Sequence, residues 1–252
     1  KFTAQQSIRP VTDSYTGEPI IDGRFYTGLA PSATLIPEAC SCGGASACNC
    51  QQGEPKSYVY GVGSIRPVFP SLSVEKEFYQ AVGPAEVTKR PEDIYFRTLR
   101  LAENLYIWRD MCWVLRINEV DSYIVKPRSD NELPALIEAL APRGEATDFD
   151  LVIGVRGPIA PRDMWNGLEL RVVVCSQAYD FTVLEYIDAI MLTTEPPATF
   201  DQASEVFRTI YWLTSNTGDT DARRAVNFLF VRYLRLYQET FYLLYPTEGG
   251  KD

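Results

Sequence analysis

The chain changes character at residue 57, and this change limits what it can fold into. Residues 1–56 are rich in Gly, Pro, Ser, Thr and Gln and show no helical periodicity. Residues 57–252 contain a succession of strand-like and helical apolar patterns. We therefore predict an α+β fold: one mixed globular domain over residues 57–252, preceded by an irregular arm over residues 1–56.

Strand-sized apolar runs are spread through the globular part. Aromatic and β-branched residues predict strands near residues 57–63, 112–117, 122–125, 151–155 and 170–175. The second and third runs are separated by four residues, 118–121, whose composition indicates the turn of a β-hairpin.

Helical spacing alternates with these runs. It predicts helices over residues 74–82, from residue 91 to about 108, and over 131–140, 181–191, 199–214 and 220–244. Two capping boxes, Ser129 with Glu132 and Thr199 with Gln202, mark helix starts. Residues 220–244 form the longest pattern, with aromatic side chains over a broad surface, which predicts one long buried C-terminal helix.

Composition excludes several classes of function. A net charge of −9 disfavours nucleic acid as the main partner, because phosphate binding needs clustered Lys and Arg. The chain has no histidine, so it has no Ser-His-Asp or Cys-His site and no His-liganded metal. No apolar run approaches the roughly 20 residues of a membrane helix. The sequence begins at Lys1, with no initiator methionine and no signal-like charged-then-apolar start. We expect a cytoplasmic piece of a longer polypeptide.

Four cysteines lie within eleven residues of the arm, at Cys40, Cys42, Cys48 and Cys50. Four thiolates can close a tetrahedral Zn²⁺ site, and the small residues between them permit the tight reversal. Without histidine, a closed structural zinc site is favoured over a catalytic one. Disulfides, free thiols, or an incomplete ligand set completed from elsewhere or from a second subunit remain alternatives.

The loop that follows the run at residues 151–155 combines Arg156, Arg162 and Trp165 with Gly and Pro. An arginine there is suited to bind a carboxylate, and Trp165 offers a stacking surface for a peptide. The alternative is a rigid Pro/Gly connection with a surface ion pair. The remaining cysteines, Cys112 and Cys175, are predicted to be small buried core residues rather than nucleophiles.

Several stretches follow the pattern of one known family. They are residues 55–78 (PKSYVYGVGSIRPVFPSLSVEKEF), 112–115 (CWVL), 150–161 (DLVIGVRGPIAP), 166–168 (NGL) and 225–233 (AVNFLFVRY). These stretches resemble the C-terminal domain of unknown function of PatA- and PatG-type cyanobactin maturation proteins, PatG most of all. The paired cysteines at 40, 42, 48 and 50 also match the family pattern.

This resemblance implies a place beside a subtilisin-like protease domain that cleaves or macrocyclises a precursor peptide, with no reaction assigned to the domain itself. It implies as partners the precursor peptide or other cyanobactin enzymes, and a homodimer is a further possibility. The leading hypothesis is a non-catalytic accessory domain stabilised by zinc. The rival is a metal- or cysteine-dependent peptide-modifying enzyme that uses the cysteine cluster or Cys112.

Overall fold

The computed structural model describes residues 11–12, 19–20, 57–82, 91–142 and 148–246. The chain divides into two compact units, Lys1–Lys56 and Ser57–Asp252. In the first unit, β1 (Val11–Thr12) pairs antiparallel with β2 (Pro19–Ile20). The four cysteines of the arm lie outside the described residues, so the zinc loop stays a prediction.

Five strands of the second unit close into a barrel. They are β3 (Tyr58–Val68), β4 (Cys112–Ile117), β5 (Val120–Pro127), β6 (Phe149–Ile159) and β7 (Arg171–Phe181). The order around the barrel is β3-β4-β5-β7-β6, and β6 pairs back with β3. The β5–β7 pair is parallel and the other four pairs are antiparallel. The predicted strands and the mixed α+β class are confirmed.

Closure of the barrel depends on β3, which pairs with two different strands along its length. Its first half, residues 58–63, pairs with β6, and residues 64–68 pair with β4. At the change of partner, the buried Asp150 carboxylate accepts a hydrogen bond from the Ile65 backbone N–H at 2.6 Å. Gly63 lies so close to β4 that a Cβ there would sit 2.0 Å from the Arg116 carbonyl oxygen. The change of pairing partner along β3 therefore requires a glycine at residue 63 and a buried hydrogen-bond acceptor at residue 150.

Four short helices pack their apolar side chains against those that point into the barrel. They are α1 (Leu72–Val82), α2 (Pro91–Leu99), α3 (Leu105–Asp110) and α4 (Leu133–Glu138). Phe78, Leu99 and Leu136 from these helices share one buried apolar cluster with Trp113 and Val173 of the barrel. This cluster is the main core of the domain, and its burial supplies most of the favourable free energy of folding.

The connectivity of the barrel is that of an OB-fold. Five strands run in the sequential order 1-2-3-5-4, the third and fifth are parallel, and α4 connects the third to the fourth. OB-fold barrels are closed Greek-key barrels whose second and third strands and adjacent loops form the usual binding face. In this chain those strands are β4 and β5, and the fourth-to-fifth loop is residues 160–170.

The C-terminal third forms a helical layer that contacts β3 through its third helix and contacts β6 and β7 through Phe149 and Phe181. Its helices are α5 (Val183–Thr193), α6 (Phe200–Tyr211), α7 (Asp221–Arg232) and α8 (Leu234–Leu244). Tyr186, Phe207 and Phe230 from this layer surround Phe149, with ring centroids 5.0–6.4 Å apart. Phe149 in turn stacks on Phe181 of β7. This second, aromatic core fixes the helices to the barrel.

The structure corrects the prediction of one long C-terminal helix. Residues 220–244 form two helices, α7 and α8, divided at Tyr233, where φ is −113° and ψ is 87°. The Tyr237 hydroxyl donates to the Phe230 carbonyl at 2.7 Å, and the Tyr186 hydroxyl donates to the Val231 carbonyl at 3.2 Å. Tertiary partners thus satisfy carbonyls that a continuous helix would have satisfied itself.

Side chains cap three helix starts among the described residues, at Ser129, Thr199 and Thr220. Both predicted capping boxes, at Ser129 and at Thr199, are confirmed. No helix within the described residues is long and apolar enough to cross a membrane.

Candidate functional site

The loop between β6 and β7 has an unusual backbone. Trp165, Asn166 and Gly167 have consecutive positive φ angles of 47°, 56° and 80°. A left-handed conformation is rare for a bulky residue such as Trp165, so the surrounding contacts must impose it. The Gly167 N–H donates to the Met164 carbonyl at 3.1 Å, which tightens the turn.

Trp165 folds back onto the outer face of the barrel. It packs against the buried cluster that contains Cys112 of β4, Ile124 of β5 and Val172 of β7. Leu168 and Leu170 of the same loop join it there. The loop therefore covers part of the β4–β5 face, the usual binding face of an OB-fold barrel.

Exposed side chains of the loop lie next to this covered face. Met164 is 44% exposed. The Arg162 side chain is 88% exposed and forms an ion pair with Glu169 across the loop. The loop thus presents apolar and charged side chains on a fixed backbone. We call Arg162, Met164 and Trp165 the loop surface.

Arg156 lies on the other side of the barrel wall. Adjacent strand residues point to opposite faces of the barrel wall. Ile124 and Val172 point outward, under Trp165, so the preceding residues Tyr123 and Arg171 point inward. Arg156 is opposite the interior residue Val173 in the β6–β7 register. The structure therefore does not place Arg156 beside Trp165.

A short loop before α7, residues 215–220, closes the end of the barrel where Arg156 lies. The Gly218 carbonyl accepts from the Tyr60 N–H at 3.0 Å, and the Thr217 carbonyl accepts from the Tyr123 hydroxyl at 2.9 Å. Gly218 has φ +60°, and a Cβ there would sit 2.1 Å from the Tyr60 carbonyl oxygen. We call these residues the closing loop.

Asp219 of the closing loop is the centre of a charged cluster. Its Oδ1 accepts from the Thr217 hydroxyl at 2.7 Å and from Arg223 Nη1 at 2.9 Å. Arg156 Nη1 is 3.7 Å from its Oδ2. Burial raises the pKa of Asp219, but the hydrogen bonds from Thr217 and Arg223 outweigh burial and hold the pKa below its usual value.

The pKa of the Tyr123 hydroxyl, at this end of the barrel, is raised by some neighbours and lowered by others. Burial, followed by the negative charge of Asp219, raises its pKa. The hydrogen bond with Thr217 and the positive charges of Arg156 and Arg171 oppose that rise. Both arginines therefore lie close enough to act on the same hydroxyl. We call Tyr123, Arg156, Arg171, Asp219 and Arg223 the Asp219 cluster.

Sequence reasoning identified Arg156 but missed the other members of the Asp219 cluster. The Asn216-Thr-Gly-Asp219 sequence is typical of a turn and marks the closing loop as such. No local pattern shows that this turn reaches the barrel, because its contacts with β3 and β5 join residues far apart in sequence.

The two cysteines of the globular unit are buried, as predicted. Cys112 is 1% exposed and Cys175 is fully buried, and neither forms a disulfide. Burial raises the pKa of each thiol to about 12. A thiol with such a pKa is protonated at neutral pH and is a poor nucleophile or metal ligand.

No group of three or more His, Cys, Asp or Glu side chains within the described ranges is arranged to hold a metal ion. The proposed ligands Cys40, Cys42, Cys48 and Cys50 lie outside those ranges.

Comparison with known proteins places the chain in a family. The family model described as "PatG Domain" matches residues 58–242. A solved structure titled "PatG Domain of Unknown Function" aligns with a TM-score of 0.58 and 18% sequence identity, covering 75% of each chain. That likeness supports the fold alone. None of the curated proteins matches the chain. Because the family model spans most of the globular unit, the chain belongs to the PatG domain family.

Proposed function

We propose that this chain is a non-catalytic accessory domain of a cyanobactin maturation protein that binds the precursor peptide or a partner enzyme. The observation that carries the proposal is the β6–β7 loop, with left-handed Trp165 held across the outer face of β4 and β5. Membership of the PatG domain family supports the cyanobactin context.

The loop surface has the features of a recognition site. OB-fold barrels bind elongated ligands on this face and with this loop, although the fold alone gives only an analogy. Exposed Met164 precedes Trp165 on a backbone whose conformation is already fixed. A fixed apolar surface loses little conformational entropy on binding. The net charge of −9 favours a peptide over a nucleic acid as the ligand.

The two described cysteines argue against one form of the rival hypothesis, an enzyme that uses Cys112. The chain has no histidine, and Cys112 and Cys175 have pKa values raised by burial to about 12. The rival hypothesis of a cysteine-dependent enzyme needs a thiolate at neutral pH. Neither cysteine of the described residues meets that requirement.

Calorimetric titration of the chain with the precursor peptide and with the partner enzymes tests the binding proposal. The variant Met164→Ser removes the exposed apolar side chain of the loop surface without disturbing Trp165. We expect it to weaken binding by about tenfold, a typical cost for truncating central contacts. The control is Leu213→Ser, on a 58% exposed leucine that follows α6. Unchanged affinity of Met164→Ser, or turnover of the precursor by the chain alone, would refute the proposal.

We also propose that Cys40, Cys42, Cys48 and Cys50 hold one structural zinc ion. Four thiolates saturate a tetrahedral ion and leave no position for a reacting water. Elemental analysis of the purified chain is expected to find one zinc per chain, and Cys42→Ser or Cys48→Ser to lower that content. The matched control is Cys175→Ala, which leaves the arm unchanged. A zinc-free chain with a folded arm would refute the site.

Self-association is a second candidate role. Leu192 of α5 and Leu243 of α8 are the most exposed apolar side chains in the described residues, at 84% and 81%. Their helices are joined nearby, where Gln238 Nε2 donates to the Thr193 carbonyl at 3.1 Å. Sedimentation velocity is expected to show a dimer that Leu192→Asp/Leu243→Asp dissociates. A strict monomer at high concentration would remove this candidate.

A further inference from the structure

Two guanidinium groups of the Asp219 cluster have donors that no described residue accepts. Among the described residues, Arg156 makes a single ion pair, with Asp219 Oδ2 at 3.7 Å, a separation too long for a hydrogen bond. Arg171 uses Nη1 to donate to the Gly157 carbonyl at 3.0 Å and makes no other hydrogen bond with described residues. A guanidinium has five N–H donors, so most of these remain available at this end of the barrel.

Asp219 does not need Arg156 as its principal partner. Its Oδ1 already accepts from the Thr217 hydroxyl and from Arg223, at 2.7 and 2.9 Å. Arg156 can therefore turn its guanidinium toward a ligand at little electrostatic cost to Asp219. The Arg156 side chain is 32% exposed, so it is within reach of a ligand from solvent.

The charge balance of the Asp219 cluster favours an added anion. Arg156, Arg171 and Arg223 contribute three positive charges against the single negative charge of Asp219, within a chain of net charge −9. Arg156 is the register partner of Val173 on β7, and Arg171 lies two residues before Val173, so the two like charges project from the same face of neighbouring strands. An anion between them relieves their repulsion in a partly buried setting, where charge interactions are stronger than in water.

The site is built in advance of any ligand. Asn227 fixes the closing loop by donating to the Tyr60 carbonyl at 2.7 Å and accepting from Asn216 Nδ2 at 2.8 Å. Arg171 is held by Gly157, and β6 and β7 pair on both sides of Arg156. A site held in this way loses little conformational entropy when a ligand binds.

We propose that the Asp219 cluster binds a peptide carboxylate through Arg156 and Arg171. A planar guanidinium fits a carboxylate or a phosphate with two parallel hydrogen bonds. The peptide of the proposed function offers the carboxylate. The inference rests on the proposed peptide-recognition function for the ligand being a peptide. It uses none of the residues of the loop surface.

Titration followed by the NMR signals of the arginine Nε–H groups tests this site. The probes are N-acetyl-trialanine with a free C-terminal carboxylate, the same peptide as its C-terminal amide, and inorganic phosphate. We expect the carboxylate peptide to give saturable shifts with a dissociation constant on the order of 1 mM. The amide is expected to give none, and phosphate to bind more weakly than the carboxylate.

Variants assign the binding to the two arginines. Arg156→Gln and Arg171→Gln are each expected to weaken carboxylate binding about tenfold, the range for losing a charge-assisted hydrogen bond. The matched control is Arg208→Gln, an exposed arginine of α6 whose Nε donates to the Ser204 carbonyl. Met164→Ser should keep full carboxylate binding, so failure of the loop surface is distinguishable from failure of this site.

The proposal is overturned if the amide binds as tightly as the carboxylate, if phosphate binds more tightly, or if no saturable shift occurs. Unchanged affinity in both arginine variants also overturns it. The comparison of carboxylate with amide uses the unmodified chain, so it decides the question even if one variant does not fold.

Discussion

The side-chain amide of Asn227 on α7 donates a hydrogen bond of 2.7 Å to the backbone carbonyl of Tyr60 on β3, 167 residues earlier in the chain. Asn227 is fully buried, and its Oδ1 accepts from Asn216. One side chain thus joins the first strand of the barrel, the closing loop and the C-terminal helices.

Asn227→Ala is expected to lower the free energy of unfolding by about 2 kcal/mol, because it leaves the Tyr60 carbonyl without this donor and removes one of the two hydrogen bonds of the Asn216 amide nitrogen. Urea unfolding measures this loss. The control, Asn131→Ala, changes an exposed asparagine and is expected to stay within about 0.5 kcal/mol of the unmodified chain. A loss at Asn227 no larger than the control's would contradict the role given to this residue.

Gly218→Ala is expected to destabilise the chain more than Gly167→Ala. Both glycines have positive φ, +60° and +80°, so alanine bears a cost of roughly 1–2 kcal/mol at either position. At Gly218 the new Cβ also meets the Tyr60 carbonyl at 2.1 Å, whereas at Gly167 the nearest atom is 4.0 Å away. The difference between the two melting temperatures measures the close approach of the closing loop. Equal shifts would show that this approach is absent in solution.

The ion pair of Asp121 with Arg66 makes stability depend on pH. The hydrogen bond from Arg66 lowers the pKa of Asp121, so the carboxylate is favoured in the folded state. Its stabilisation is therefore complete above the unfolded pKa of about 3.9 and is lost as the pH falls through the lower folded value.

We expect Asp121→Asn to cost up to about 1 kcal/mol at pH 7, because both groups are partly exposed. That cost should disappear at a pH below the folded pKa. Urea unfolding at pH 7 and at successively lower pH checks this, with Asp188→Asn, on an exposed carboxylate of α5, as the control. A cost that persists undiminished in acid would assign the effect to packing instead.

Thiol labelling should divide the six cysteines into two groups. With zinc bound, none is expected to react quickly in the native chain; a chelator should expose the four of the arm; and denaturant should expose Cys112 and Cys175. The last two are protected because burial raises their pKa to about 12. Rapid labelling of either before denaturation would revive the enzyme hypothesis. Four labelled thiols without a chelator would contradict the zinc site.

Local chemistry allowed most elements of the globular unit to be predicted. The β4–β5 turn contains Asn118 and Glu119 at positive φ, as a tight hairpin turn requires, and both capping boxes form. These features depend on residues within a few positions of one another. Each could therefore be read from one short stretch of sequence.

Closure of the barrel could not be predicted in the same way. It depends on β3 changing partners beside Asp150 and on a register shift between Ile153 and Gly154, both of which arise from pairing of distant strands. The break at Tyr233 was missed for a similar reason, because hydroxyl groups from Tyr186 and Tyr237 take part.

The candidate site was predicted in part. The loop composition indicated Arg156, Arg162 and Trp165 together, but alternation along the strands puts Arg156 and Trp165 on opposite faces. Arg171, Tyr123 and Asp219 come from three other segments, and no sequence spacing relates them.

Because β6 pairs with β3, every strand of the barrel has a neighbour on both sides. The barrel therefore has no edge strand to which an extended peptide could be added along its whole length. A peptide bound to the barrel must then be recognised by its side chains and end groups rather than by its main chain. Recognition by side chains and end groups depends on the sequence of the peptide, whereas strand addition through the main chain depends on it far less.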